Sequence, residues 1–98
     1  MDVRFADNAL ARLETELSFR GRWPRAVVRA FRKRMQAIRA ASDERVFYRL
    51  KSFHYEKLAG ARSHQHSMRL NNQFRLIVEY EGKPPNKIVV VIAIEDYH

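Results

Sequence analysis

Apolar positions change their period partway along this chain. Leu10, Leu13 and Leu17 recur at the three- and four-residue spacing of one helix face, and Asp7 or Asn8 stands where a capping side chain is expected. Gly21 interrupts that helix. Trp23-Pro24 restarts the chain, because proline is well tolerated in a first helical turn. From Pro24 to about Ala41, Val27, Val28, Phe31, Met35 and Ile38 form a second apolar stripe, with the arginines mostly on the other side. The pattern predicts two antiparallel helices, preceded by a short strand at Val3–Phe5. The next stretch, Ser42–Lys57, carries Val46, Phe47, Leu50 and Phe53 and fits either a further helical turn or an irregular strand.

Beyond it the period becomes two. Gln65–Leu70, Gln73–Tyr80 and Lys87–Glu95 read as strands, separated by Asn71-Asn72 and by Glu81-Gly82-Lys83-Pro84-Pro85, which is turn chemistry. Ile88 to Ile94 is apolar on both faces and is predicted to be the central, most buried strand. The fold class expected is therefore α+β: two N-terminal helices packed on a mainly antiparallel sheet of three to five strands, in one domain over residues 1–98.

Register decides which side chains can cooperate. A two-residue Asn71-Asn72 loop pairs Leu70 with Gln73 and sets Arg69 opposite Phe74. A loop one residue longer pairs Leu70 with Phe74, gathering Met68, Leu70, Phe74, Leu76, Val78 and Tyr80 on one face. Ser67, Arg69, Arg75 and Ile77 then share the other. Because a slip of one residue exchanges the faces, burial favours the longer loop and predicts a face bearing paired arginines.

Charge sharpens the picture. Nineteen Lys and Arg against eleven Asp and Glu give +8. Residues 1–41 hold ten basic and four acidic side chains. No acid lies between Leu17 and Ser42, where Arg20, Arg22, Arg25, Arg29, Arg32, Lys33, Arg34 and Arg39 fall. Such a stripe attracts phosphate backbones by charge and counterion release, and it equally suits a solvated helix face or an acidic protein partner. The absence of cysteine removes disulfides, thiol nucleophiles and thiolate metal sites. The first residues lack the layout of a secretory signal, and the longest apolar run is too short to span a bilayer. A cytoplasmic protein without a membrane partner is expected.

No Walker loop, dinucleotide fingerprint, nucleophile elbow or zincin motif is present. His64 and His66 could share a strand face and offer two metal ligands, but no further ligand is evident, so neither metal nor other cofactor is expected. More informative are Arg62, Arg69 and Arg75 together with the terminal Glu95-Asp96-Tyr97-His98. Metal-free RNA cleavage needs a base for the 2′-OH, an acid for the 5′-oxygen and cations on the developing phosphorane charge. Histidine suits the proton steps and arginine suits the phosphate. The same arginines could instead be solvated strand residues or partners of Glu79 and Glu95.

The segment Leu58-Ala-Gly-Ala-Arg62-Ser-His-Gln-His66-Ser67-Met68-Arg69-Leu70-Asn71-Asn72-Gln73-Phe74-Arg75, followed by a strand and a terminal Asp96-Tyr97-His98, resembles the HigB group of RelE-type toxins. The resemblance is detailed over residues 56–98 and agrees in layout over the helical half. It implies a RelE-like fold, ribosome-dependent cleavage of mRNA, and neutralisation by a HigA-like helix-turn-helix antitoxin. It also implies active-site roles for Arg69, Arg75, Asp96, Tyr97 and His98, with Arg62 nearby. Phe74 stands where the group has tryptophan and His64 where it has glycine. Glu56 occupies the place of a catalytic histidine found in some members, which leaves His54 and Glu56 as candidate bases. Lys57, Arg62, Arg29, Arg32 and Lys33 are the expected contacts to RNA phosphates. Two other readings are a non-catalytic basic module that binds RNA or DNA, and a degenerate toxin that only binds its antitoxin.

Overall fold

The computed structural model describes residues 1–97. In chain order the elements are β1 (Asp2–Phe5), α1 (Asn8–Thr15), α2 (Arg25–Ala40), α3 (Arg45–Arg49), β2 (Glu56–Lys57), β3 (His66–Arg69), β4 (Phe74–Glu81) and β5 (Ile88–Asp96). Short 3₁₀ turns at Lys51–Phe53 and Gly60–Arg62 complete them. The fold is α+β, with a five-stranded mixed sheet in the order β1-β5-β4-β3-β2.

Local chemistry explains the helix ends. The Asp7 carboxylate accepts from the Ala9 amide at 2.8 Å and starts α1. That helix stops at Thr15, earlier than the leucine spacing suggests, so Leu17 lies beyond it and is 80% exposed. One side chain gathers carbonyls from the helix's last turn and from the chain just beyond it. The Arg32 guanidinium donates to the carbonyls of Leu13 (2.9 Å), Glu16 (3.0 Å), Leu17 (3.4 Å) and Phe19 (3.1 Å). A cation at the negative end of a helix dipole, satisfying several orphan acceptors at once, fixes where the chain leaves the helix. Helix α2 follows Pro24 and buries Val27, Val28, Phe31, Met35 and Ile38, as its stripe predicts. Ser42–Lys57 contains both expected forms, a helical turn in α3 and a short strand in β2.

Burial chose the longer β3–β4 loop. Arg69 pairs with Arg75 and Met68 with Leu76, while the Leu70 amide donates to the Phe74 carbonyl. Met68, Leu70, Leu76, Val78, Val89, Val91 and Ile94 join Leu10, Leu13, Val28, Phe31 and Met35 in one core between the helices and one sheet face. Truncating one of these larger side chains to alanine would cost about 2–5 kcal/mol. The apolar run of β5 is interior rather than central. Strand β1 joins its far edge in parallel, so β4 holds the middle of the sheet.

Strand β5 contains a bulge. Ile77 pairs with Ala93 but Val78 pairs with Val91, leaving Ile92 without a partner. Side chains alternate along a strand, and one extra residue reverses the alternation. Val89 and Val91 point into the core ahead of the bulge, and Ile94 does so after it. Glu95 and Tyr97 consequently share the opposite face with Arg75. Ile94 anchors the tail in the core, whereas Ile92 is the half-buried bulge residue.

Candidate functional site

The sheet face turned away from the helices carries Glu56 on β2, Ser67 and Arg69 on β3, Arg75, Ile77 and Glu79 on β4, and Glu95 on β5, with Tyr97 just beyond. Ser67 and Ile77 are fully buried although they lie on this outer face. The segment between β2 and β3 folds across it: Gln65 Nε2 donates to Glu79 at 2.9 Å, His64 approaches the same carboxylate at 3.5 Å, and Arg62 reaches as far as Glu95 on β5.

Two arginine clusters result. Arg75 and Glu95 are direct cross-strand partners, with Nη2 3.4 Å from Oε1. Arg62 grips the same carboxylate with both terminal nitrogens, at 3.1 and 2.6 Å, while its Nε donates to Gln65 at 2.8 Å. The hydrogen-bonded Arg62 fork, followed by the charge of Arg75, holds the Glu95 carboxyl below its usual range. The Arg75 guanidinium also lies 4.9 Å from the centre of the Tyr97 ring, and its Nε is buried without a partner.

In the second cluster, Arg69 donates through Nη1 to His54 Nε2 at 3.3 Å and through Nη2 to the Asn72 side-chain oxygen. Guanidinium cannot accept, so this contact requires an unprotonated His54 Nε2. His54 sits in the left-handed region at φ 43°, which turns the chain from the Lys51–Phe53 helical turn into β2. Residues Asn71 and Asn72, legible beforehand only as turn formers, build the site's rim. The Asn71 carboxamide accepts from the Gln73 and Phe74 amides at 2.8 and 2.7 Å, fixing the loop that Arg69 leans on. Beneath it, Arg34 donates to the Arg69 carbonyl at 3.0 Å and stacks on Phe53. Burial lowers the Arg34 pKa from its ordinary value.

The tail is pinned along its backbone. The Tyr97 amide donates to the Gln73 carbonyl at 2.7 Å, and Gln73 Nε2 donates to Asp96 at 3.0 Å. Arg69, Arg75, Tyr97, Arg62 and His54 are thus gathered on one side of the sheet. Glu56 is exposed on the same side at the β2 edge, whereas Lys57, exposed beside it, pairs with His66 and points to the other side. His98, the remaining acid/base candidate, lies outside the described residues. Arg29 and Lys33 are exposed on α2, along a groove floored by Leu17 and Val28 and rimmed by Arg20, Arg25 and Gln36. Arg32, expected beside them as a phosphate contact, turns its guanidinium onto the end of α1 instead.

The histidine pair His64 and His66 does not act together. His64 precedes the strand and approaches Glu79, whereas His66 stacks on Tyr55, ring centres 5.0 Å apart. Among the described residues, no group of three His, Cys, Asp or Glu side chains is placed to hold a metal ion. No described helix is long and apolar enough to cross a membrane.

No family model matches this chain, and no curated protein matches it. Among solved structures it is similar to a YoeB/ParE toxin from Agrobacterium tumefaciens, with a TM-score of 0.61 and 14% identity over 100% of both chains. At that identity the likeness is one of fold: the two chains share the same α+β architecture from end to end.

Proposed function

We propose that this chain is the toxin of a toxin–antitoxin system, a HigB-type member of the RelE superfamily that cleaves mRNA in the ribosome without a metal ion. The observation that carries this reading is the facing pair Arg69 and Arg75, with His54 bonded to one and Tyr97 beside the other. The fold shared with a protein described as a YoeB/ParE toxin supports it.

Arg69 and Arg75 take the non-bridging oxygens of the scissile phosphate, where a guanidinium fork matches two oxygens at once. A base removes the 2′-OH proton, the 2′-oxygen attacks phosphorus, and the 5′-oxygen leaves with a proton from an acid. The products are a 2′,3′-cyclic phosphate and a 5′-OH end. His54 meets Arg69 through Nε2, so it is the favoured base once the substrate phosphate draws that guanidinium away and frees the nitrogen, with Glu56 at the sheet edge as the other candidate. His98 supplies the second proton-transfer group, and Asp96 and Tyr97 orient it and the substrate. Tyr97, 40% exposed, also gives a nucleobase a ring to stack on. Lys57 and Arg62 follow the RNA backbone beyond the scissile step, while Arg29 and Lys33 provide a more distant phosphate contact. A HigA-like helix-turn-helix antitoxin covers α2 and its groove, where a basic surface needs masking.

Inducible expression with and without the adjacent reading frame tests the reading. Growth arrest, relieved by that frame and accompanied by cleavage of ribosome-bound mRNA, is expected, and the two products should co-purify. A protein that is harmless alone and binds no such product would reject it. EDTA should leave cleavage unchanged; activity lost in EDTA and restored by one particular divalent ion would reject the metal-free mechanism.

A further inference from the structure

Glu95 has no assigned part in the proposed chemistry, yet it stands at the centre of the arginine cluster. Its two oxygens are both engaged by the Arg62 fork, and one of them also faces Arg75. Two guanidinium groups converging on one planar anion is the arrangement a phosphodiester would take in the same place. The bulge at Ile92 brings Glu95 there: in a regular strand paired through Ile92 its side chain would point toward the helices.

The neighbouring contacts show that the occupancy is incomplete. Arg75 gives Glu95 only one nitrogen, at 3.4 Å, and its buried Nε has no partner. Arg62 comes from the segment that folds across the face, and its fork holds that segment on β5 from two strands away. Geometry favours exchange rather than simple addition, because Glu95 Oε1 already lies within reach of both guanidinium groups. A phosphodiester carries one negative charge, as Glu95 does, and replaces it on both arginines.

We infer that Glu95 is a gate on this face, an internal stand-in for phosphate that holds Arg62 and Arg75 until a strand of RNA displaces it. The inference rests on the reading of this face as an RNA-binding site. Its consequence is selectivity. An isolated phosphate or mononucleotide exchanges one anion for another and gains little. An extended strand that also reaches Arg69 and the Tyr97 ring gains enough further contacts to open the gate. Glu95 is thus a specificity-determining residue, whose removal should loosen discrimination as well as tighten binding.

The test is Glu95→Gln, which keeps the shape and an acceptor oxygen but removes the charge. Binding of a single-stranded, fully 2′-O-methylated RNA, which cannot be cleaved, is measured by fluorescence anisotropy over a series of salt concentrations. The variant should bind about fivefold more tightly at low salt, the scale of one partly exposed ion pair. With one carboxylate charge fewer for the backbone to displace, log K should fall with log salt more steeply, by about 0.7 in slope for a single strand. The preference for RNA over a 5′-mononucleotide should shrink. Unchanged affinity and slope, or weaker binding, would overturn the gate while leaving the RNA-binding reading in place. Wild-type protein that binds no RNA at any salt would overturn that reading and the gate with it. Circular dichroism establishes that the variant is folded. If it is not, carbon-detected NMR of the wild-type Glu95 carboxyl during RNA titration decides: the resonance must move as RNA saturates, and a stationary one overturns the gate.

Discussion

Two regions of this molecule are rich in arginine, and they use it in opposite ways. On α2, three of the cations are tied to other parts of the chain. Arg32 closes the end of α1, Arg34 supports the carbonyl of Arg69, and Arg39 pairs with Glu14 at 2.6 Å. On the outer sheet face, Arg62, Arg69 and Arg75 are directed at one another's neighbourhood and are held by Glu95, His54 and Asn72. A stretch of eight cations without an acid looks like the more obvious nucleic-acid surface. The sheet, with only three, has the geometry that matches a phosphate. Net charge counts cations; it does not say which are already committed to carbonyls. That distinction is visible only once the chain is folded.

The contrast can be broken most sharply at Arg75. Arg75→Ala should lower RNA cleavage about a hundredfold, or about 3 kcal/mol of transition-state stabilisation, in a protein that stays folded and still binds its antitoxin. A folded His98→Ala, Arg75→Ala double mutant that remains fully toxic would dismiss the sheet face as the site. On the helical side the largest effect should be on stability. Arg32→Ala removes the guanidinium from four carbonyls, of which that of Glu16 keeps the Phe19 amide, and should cost about 2 kcal/mol in urea denaturation. An unaltered midpoint would show that water replaces the guanidinium without loss. Arg29→Ala and Lys33→Ala, a turn away and exposed, should each change stability by less than about 0.5 kcal/mol. Each should reduce the salt dependence of RNA binding by about 0.7 in slope if it meets a phosphate.

The smallest effect concerns pH. His66 is half-buried between Tyr55 and Tyr80, with Nδ1 unpartnered, and burial lowers its pKa from the ordinary 6.5. Lys57 and Lys87 act in the same direction and Glu44 opposes them. A histidine with a depressed folded pKa binds fewer protons folded than unfolded. Its contribution is therefore present above the unfolded value and declines as pH falls through it. The urea midpoint should drop between pH 7.5 and 5.5, and His66→Gln should flatten that drop. An equal decline in the variant would assign the pH dependence to other groups.

How much was legible beforehand depended on whether residues alternate. The α2 stripe and the β3–β4 register could be read because apolar and polar positions are distinct there, and the Arg69–Arg75 pairing followed from burial alone. Leu17 kept helical spacing but fell past the helix end, since the terminating contacts come from Arg32, fifteen residues further along. The place of β5 was misjudged because uniform hydrophobicity indicates burial on both faces without saying which neighbours supply it. Here β1 does so on one side, in parallel. The candidate face was legible in its arginines, and the Glu95 partnership was foreseeable as an option. The roles of Gln65, Asn72 and Gln73 depend on loop paths that no periodicity describes.

That same uniform run has a consequence for how this surface could change over time. The direction of the tail is set by a count of residues, not by their identity. Between Ile88 and Ile94 valines, isoleucines and leucines could be exchanged freely while Glu95 and Tyr97 went on facing the arginines, because Ile92 would still be the odd one out. A chain could drift far in sequence here and keep its site. Pairing the run regularly through Ile92, with the bulge flattened out, would do what no exchange can: send the tail's side chains to the other side of the sheet with every residue unaltered.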